Sequence, residues 1–157
     1  MTEYNICTKV QVVNLEELEE RLRNLVLAAK HATQNSYAPY SHFHVGAALL
    51  LENGEVVTGS NQENASYPVG CCAERTALFW CGANKHGVAI KAIAIAAENR
   101  GDFTASPTSP CGMCRQALLE VEQQQGTPIM VVLYGADRTY ILENIEALLP
   151  LSFSTMT

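Results

Sequence analysis

Apolar residues recur at helical spacing near the N-terminus of the chain. They form one stripe at Leu15, Leu18, Leu22, Leu25, Val26 and Ala29. Asn14 can cap a helix with Glu17 at its third position, so the pattern predicts a helix over about Leu15–Thr33. From Tyr4 to Val12, apolar residues alternate with mostly polar ones, which indicates a short N-terminal strand suited to a sheet edge.

Two apolar runs flank an Asn-Gly pair in the first half of the chain. The runs span residues 45–52 and 55–59, with Asn53 and Gly54 between them. Asn-Gly is the strongest short-range signal for a hairpin, because the tight turn needs residues that adopt positive φ. We therefore expect an antiparallel pair of strands here.

Helix-prone and strand-prone segments alternate in the second half. Helices are predicted from Cys72 to about Cys81, ending at Gly82, and over Gly112–Gln125, ending before Gly126. Strands are predicted over 91–97, 129–134 and 138–142, a loop over 98–110, and a last short helix over 144–149. Strands interleaved with helices favour one layered α/β domain over residues 1–157, whose mixed central sheet has helices on both faces.

Composition and charge exclude several classes of protein. Ten Lys and Arg against sixteen Asp and Glu give a net charge of −6 without any basic run, so nucleic acid and anionic membranes are unfavourable partners. The apolar runs are far shorter than the roughly 18–20 residues that cross a bilayer, and the N-terminus lacks the apolar core of a signal peptide. We therefore expect a cytoplasmic protein.

Six cysteines carry the candidate chemistry, because a reducing compartment favours metal binding or catalysis over a disulfide framework. Only Cys111 and Cys114 have the two-residue spacing that lets two thiolates share a metal. With Cys72 they would supply three ligands and leave a fourth position to water, as in catalytic zinc sites. Both segments open predicted helices, whose positive ends lower thiol pKa values and favour metal binding.

Glu74 and Arg75 lie in the first turn after Cys72. Zn²⁺ with three thiolates carries one net negative charge, so Arg75 could offset it by donating hydrogen bonds to the sulfurs from outside the ligand set. Glu74 need not ligate the metal and could act as general acid and base. A Glu followed by a Pro-Cys-x-x-Cys segment is a known signature of zinc nucleobase deaminases.

The segments Cys72-Ala-Glu-Arg75 and Ser109-Pro-Cys-Gly-Met-Cys-Arg-Gln116 resemble the cytidine deaminase family, in its small, all-cysteine, homotetrameric branch. Residues 41–49, 61–67 and 148–153 match further family segments. The resemblance implies a three-layer α/β/α sandwich and one Zn²⁺ per subunit. It also implies hydrolytic deamination of cytidine and deoxycytidine to uridine and deoxyuridine in pyrimidine salvage.

The same resemblance implies roles for residues around the metal ligands. Phe43 would pack near the pyrimidine, and Asn61 and Glu63 would hydrogen-bond a ribose hydroxyl. Phe153 would come from a neighbouring subunit of a homotetramer. The remaining residues expected to line the substrate site are Ala65, Tyr67 and Ala73.

Other interpretations of the cysteines remain open from the residues alone. Cys111 and Cys114 could be a redox pair or half of a structural zinc site in an interaction module. A histidine could complete and close the metal site, the candidates being His31, His42, His44 and His86. Of the three other cysteines, Cys71 is expected to be structural, and Cys7 and Cys81 are expected to be small, buried hydrophobic residues. Within enzymes, the rival is a deaminase of a related aminopyrimidine nucleoside such as blasticidin S.

Overall fold

A central sheet of seven strands forms the middle layer of the computed structural model, which describes residues 1–154. The strands are β1 (Gln11–Val13), β2 (Phe43–Leu51), β3 (Val56–Ser60), β4 (Ile90–Asn99), β5 (Asp102–Phe103), β6 (Met130–Tyr134) and β7 (Thr139–Leu142). The helices are α1 (Glu20–Ala32), α2 (Ala73–Asn84) and α3 (Gly112–Gln125). None of the helices in this described range is long and apolar enough to cross a membrane.

The direction of the strands brings two helix starts to one edge of the sheet. The strand order is β1-β7-β6-β4-β2-β3, with β5 beside the end of β4, and only β4 and β6 pair in parallel. Because β2 is antiparallel to both β3 and β4, strands β3, β4 and β6 all run the same way. The chain passes through α2 between β3 and β4 and through α3 between β4 and β6. Both helices therefore follow the carboxyl ends of strands, where sites in open α/β sheets form.

The two faces of the sheet differ in the size of their side chains. Helices α2 and α3 cover a face of large apolar residues that includes Leu49, Ile93 and Leu133. Helix α1 covers the opposite face, where its partners are mostly alanines: Ala48, Ala92, Ala94 and Ala96. The predicted α/β/α layering with a mixed sheet is thus confirmed.

The N-terminal part of the chain departs from the predicted boundaries. Helix α1 begins at Glu20, because Leu15–Glu17 forms a separate 3₁₀ turn and Leu18 is extended with φ −66° and ψ 141°. The Glu17 carboxylate accepts a hydrogen bond from the Asn14 backbone N–H at 2.7 Å, which closes this short turn. The N-terminal strand is also shorter than predicted, since only Gln11–Val13 pairs with β7, at the sheet edge.

Other sequence-based predictions also differ from the structure. Strand β4 extends beyond the predicted 91–97 at both ends, and Cys7, which was predicted to be buried, is exposed. The predicted β2–β3 hairpin is confirmed. Of the Asn53-Gly54 pair only Gly54 adopts a positive φ (88°), so the turn is wider than a two-residue turn. Helix α2 continues past Gly82 to Asn84. The predicted loop over 98–110 contains β5, which forms a second hairpin with β4. The last helix is only a 3₁₀ turn, Glu146–Leu148.

Helix α2 docks on the sheet at Gly59 of β3, which has no side chain to separate them. A Cβ atom at this position would lie 2.5 Å from the Ala77 nitrogen and 2.6 Å from the Ala73 oxygen. Ala73 follows Cys72 directly, so this contact sets the height of the helix start above the sheet.

The substitution Gly59→Ala tests this close contact. We expect the additional methyl group to lower the free energy of unfolding by about 1–3 kcal/mol, as overpacking does in tight cores, measured by urea denaturation. Gly82→Ala is the matched control within α2, because a Cβ there would meet no atom within 4 Å apart from its chain neighbours and the backbone of its own helix. Alanine favours a helix, so this control should leave stability unchanged or raise it. Equal stability of the two variants would contradict the packing explanation.

Candidate metal centre

Three cysteine sulfurs meet at the edge of the sheet where α2 and α3 begin. Cys72 is the N-cap residue of α2, Cys111 is the N-cap residue of α3, and Cys114 lies in the first turn of α3. Their Sγ atoms all lie within 4.8 Å of one another. Within the described residues no histidine joins this group, so the predicted cluster forms without a fourth protein ligand.

The spacing of the sulfurs fits a zinc ion. The Sγ atoms of Cys72 and Cys111 are 3.7 Å apart, and those of Cys111 and Cys114 are 3.5 Å apart. Sulfur ligands about 2.3 Å from a tetrahedral zinc ion lie about 3.8 Å from one another. Three thiolate donors are also a soft ligand set that suits zinc better than magnesium or calcium.

Positive charge surrounds the sulfurs. The N-terminal ends of α2 and α3 each contribute roughly half an elementary charge. The Arg75 Nη2 atom lies 3.9 Å from the Cys72 Sγ atom. Hydrogen bonding with the Cys114 thiol and with Arg75 lowers the pKa of Cys72 to about 5. The site therefore favours a thiolate, which is the form that binds metal.

Glu74 is buried in the first turn of α2, next to the metal centre. Its side chain is only 4% exposed. Burial, together with the negative charge of Cys72, raises the pKa of this carboxyl group. A carboxyl group in such surroundings can hold and release a proton nearer to neutral pH than an exposed one.

A cleft of about 560 Å³ opens beside Cys72. The predicted site residues in its wall are Asn61, Glu63, Tyr67, Cys72 and Arg75. A hollow of about 620 Å³ between residues 6–9 and 143–152 is larger but shares no lining residue with the cleft. Of these two hollows, only the smaller cleft reaches the sulfur cluster. The candidate site is therefore identified by the cysteines in its wall and not by its volume.

Backbone groups of strand β2 orient Asn61, and backbone groups of the loop before β2 orient Glu63. The Asn61 Oδ1 atom accepts from the Val45 backbone N–H at 2.8 Å, and its Nδ2 atom donates to the Phe43 carbonyl at 2.8 Å. A Glu63 carboxylate oxygen accepts from the Tyr40 backbone N–H at 2.9 Å. The Ser41 hydroxyl and the Tyr40 N–H lower the pKa of Glu63. The Glu63 carboxylate is thereby ready to accept a further hydrogen bond.

Four of the predicted substrate residues are not among those that line the cleft in the described part of the chain. Phe43 is half-buried at the start of β2, and Ala73 is fully buried at the start of α2. Ala65 is exposed in the loop after Asn61. Phe153 is 82% exposed, and its backbone carbonyl accepts a hydrogen bond from Gln116 at 3.0 Å.

The cleft also contains residues that sequence reasoning missed. Tyr40, Gln62, Cys71 and Met113 all line it. Gln62 holds the loop in place, because its backbone forms bridges with both Tyr37 and Cys71. Each of these residues adjoins or lies within a segment that carries a site residue, and this was the one available signal in the sequence.

Comparison with known proteins places this chain near one family. The family described as the cytidine and deoxycytidylate deaminase zinc-binding region matches residues 19–129. A cytidine deaminase from Sporosarcina psychrophila is 45% identical over 100 residues, which is 63% of this chain and 68% of that protein. A cytidine deaminase from Halalkalibacterium halodurans is 45% identical over 97 residues, 62% of this chain and 69% of that protein.

Solved structures show the same fold. The cytidine deaminase of Burkholderia pseudomallei superposes with a TM-score of 0.68 and 41% identity, covering 83% of this chain and 97% of that chain. The cytidine deaminase of Mycobacterium tuberculosis superposes with a TM-score of 0.67 and 33% identity, covering 85% of this chain and 98% of that chain.

Substitution of single cysteines tests the metal centre. We expect Cys114→Ser to lose zinc during dialysis, because the fully buried sulfur of the cluster is replaced by a poor zinc ligand. Cys71→Ser is the matched control, since Cys71 lies next to Cys72 in sequence but outside the cluster. The measurement is metal content by plasma mass spectrometry. Loss of zinc from both variants, or from neither, would contradict this assignment.

Proposed function

The chain belongs to the cytidine deaminase family, and from this premise we propose that it hydrolyses cytidine and deoxycytidine in pyrimidine salvage. The products are uridine or deoxyuridine and ammonia. The observation that carries the proposal is the cluster of three cysteine sulfurs with a buried glutamate in the adjoining helical turn. We further propose a single domain over residues 1–157 and a cytoplasmic location. The net charge of −6 without a basic run makes anionic membranes and nucleic acid unfavourable partners.

Cys72, Cys111 and Cys114 would hold one zinc ion per subunit. Zinc in such a site lowers the pKa of water and so supplies a nucleophile near neutral pH. Arg75 and the two helix ends offset the negative charge that three thiolates bring to the site. This compensation keeps the metal electrophilic.

Glu74 is the proposed catalytic acid and base. It takes a proton from the attacking water and gives it to ring nitrogen N3 as the C4 centre becomes tetrahedral. It then takes the proton of the new C4 hydroxyl and passes it to the exocyclic amine, which leaves as ammonia when the C4–N bond breaks and the C4 carbonyl forms. The raised pKa of this buried carboxyl group supports both directions of transfer.

Residues of the cleft wall, together with Phe43, Ala65 and Ala73 outside it, would bind the nucleoside. Glu63 accepts a hydrogen bond from a ribose hydroxyl, and Asn61 can donate the amide hydrogen that the Phe43 carbonyl does not use. Phe43 and Tyr67 supply aromatic surface for the flat base. Ala65 and Ala73 complete the proposed substrate contacts.

A homotetramer is the proposed assembly, with Phe153 completing the site of a neighbouring subunit. Exposed apolar side chains support this proposal, because Leu151 is 81% exposed and Phe153 82% exposed in the isolated chain. Tyr67 at the cleft is also 78% exposed. Exposed apolar groups of this size that lie close together are typical of surfaces that another molecule covers.

Glu74→Gln tests the assigned chemistry. We expect kcat for cytidine to fall by about 10²–10⁴-fold or more, since general acid–base catalysis contributes on that order, while the zinc content stays unchanged. The measurement is the loss of ultraviolet absorbance of cytidine, with metal analysis on the same samples. Glu120→Gln makes the same change at an exposed position of α3 and should keep wild-type activity. Full activity of Glu74→Gln would refute the assigned role.

Glu63→Gln tests recognition of the sugar. The amide oxygen can still accept from the Tyr40 N–H, but it is a weaker acceptor for the ribose hydroxyl. We expect kcat/KM for cytidine to fall by about 10–100-fold, which corresponds to about 1.5–3 kcal/mol for a hydrogen bond to a charged group. 2′,3′-Dideoxycytidine lacks the 2′- and 3′-hydroxyl groups of the ribose. With this nucleoside the wild type and the variant should have the same kcat/KM. An equal loss with both nucleosides would assign Glu63 another role.

A further inference from the structure

The C-terminal segment, residues 145–153, is attached to helix α3 by three side chains. Glu122 is the first of them and is 8% exposed. Its carboxylate accepts hydrogen bonds from the backbone N–H groups of Ile145 at 2.8 Å and Glu146 at 3.1 Å. It also accepts from the Ile129 N–H at 2.7 Å. One buried side chain thus joins α3, the chain entering β6 and the beginning of the C-terminal segment.

Arg115 and Gln116 hold the rest of this segment. The Arg115 Nη1 atom donates to the Leu148 carbonyl at 2.7 Å, and the Gln116 Nε2 atom donates to the Phe153 carbonyl at 3.0 Å. Arg115 and Glu122 are seven residues apart, which is close to two helical turns, so both lie on one face of α3.

Arg115 has a second partner on the side of the metal centre. Its Nε atom donates to the Pro110 carbonyl at 2.9 Å. That carbonyl belongs to the peptide bond that leads into Cys111. One planar guanidinium group therefore joins the loop before a metal ligand to the C-terminal segment, with two charge-assisted hydrogen bonds in a fixed fork.

Cys111 depends on the hydrogen bonds of Arg115 more than Cys72 and Cys114 do. Cys114 is completely buried and Cys72 is half-buried, whereas Cys111 is exposed at the surface. Packing therefore restrains the Cys111 sulfur least. Two hydrogen bonds from Arg115 hold its backbone: the Arg115 N–H donates to the Cys111 carbonyl at 3.0 Å, and the Arg115 Nε atom donates to the Pro110 carbonyl.

We propose that Arg115 is a positioning residue that couples the C-terminal segment to the metal centre and slows the loss of zinc. It acts through the Pro110–Cys111 peptide bond and touches neither the metal nor the substrate. The inference rests on the proposed function only in requiring that zinc binds the three cysteines.

The test is the rate at which zinc passes from the intact protein to an excess of a colorimetric chelator. We expect Arg115→Met to release zinc about 10–100-fold faster, the range seen when groups that orient metal ligands are removed. Arg115→Lys should fall between this variant and the wild type, because an ammonium group keeps the charge but does not reproduce the planar fork. Arg138→Met removes an exposed arginine and should release zinc at the wild-type rate.

A second comparison separates coupling from a general loss of stability. Leu25→Ala destabilises α1 on the opposite face of the sheet, so it should lower the thermal midpoint without accelerating zinc release. Glu122→Gln weakens the other anchor of the C-terminal segment and should accelerate release modestly. In the Arg115→Met background Glu122→Gln should add little, because the path to Pro110 is already broken.

Three outcomes would overturn the proposal. One is zinc release at the wild-type rate from Arg115→Met. Another is that Leu25→Ala, with the same thermal midpoint as Arg115→Met, accelerates zinc release as much as Arg115→Met does. If Arg115→Met does not fold, wild-type release from Arg115→Lys decides against the proposal. Failure of the wild-type protein to bind zinc would instead refute the proposed metal centre, and the two failures are distinguishable.

Discussion

The meeting of two helix starts at three sulfur atoms is the constraint on which the candidate site depends. Three thiolates carry more negative charge than Zn²⁺ neutralises, so the cluster needs positive charge close by. The N-terminal ends of α2 and α3 supply part of it, and Arg75 supplies the rest. Both helices begin at this edge because β3, β4 and β6 run in the same direction. The topology of the sheet is therefore also the origin of the electrostatics.

Close packing of α2 turns this topology into a usable site. Because Gly59 has no side chain, the helix lies directly on β3, and Cys72, Glu74 and Arg75 take different positions around its first turn. Cys72 faces the other sulfurs, Glu74 is buried, and Arg75 reaches back to Cys72. One helical turn thus provides the proposed metal ligand, the proposed proton carrier and a compensating charge at fixed relative positions.

Local sequence signals predicted the helices and strands around the site well and the irregular segments less well. Helix α3 has its predicted bounds, Gly112–Gln125, because Gly126 ends it in the left-handed conformation. Helix α1 begins later than predicted because Glu17 bonds to Asn14 and closes a separate turn. Strand β5 was missed because a two-residue strand has too few residues to show alternation, and its pairing with β4 is a tertiary contact.

The sequence by itself determined the three cysteines proposed as metal ligands, the adjoining glutamate and the layered α/β fold, because cysteine spacing and apolar periodicity are local properties of the chain. Only the tertiary structure decided which other residues share the cleft. It brought Tyr40 and Met113 to the wall and left Phe43 and Ala65 outside it. It also decided that Arg115 links Pro110 to Leu148, residues 38 positions apart in the sequence. Such contacts join segments that are distant along the chain, and no local pattern of residue types records their meeting.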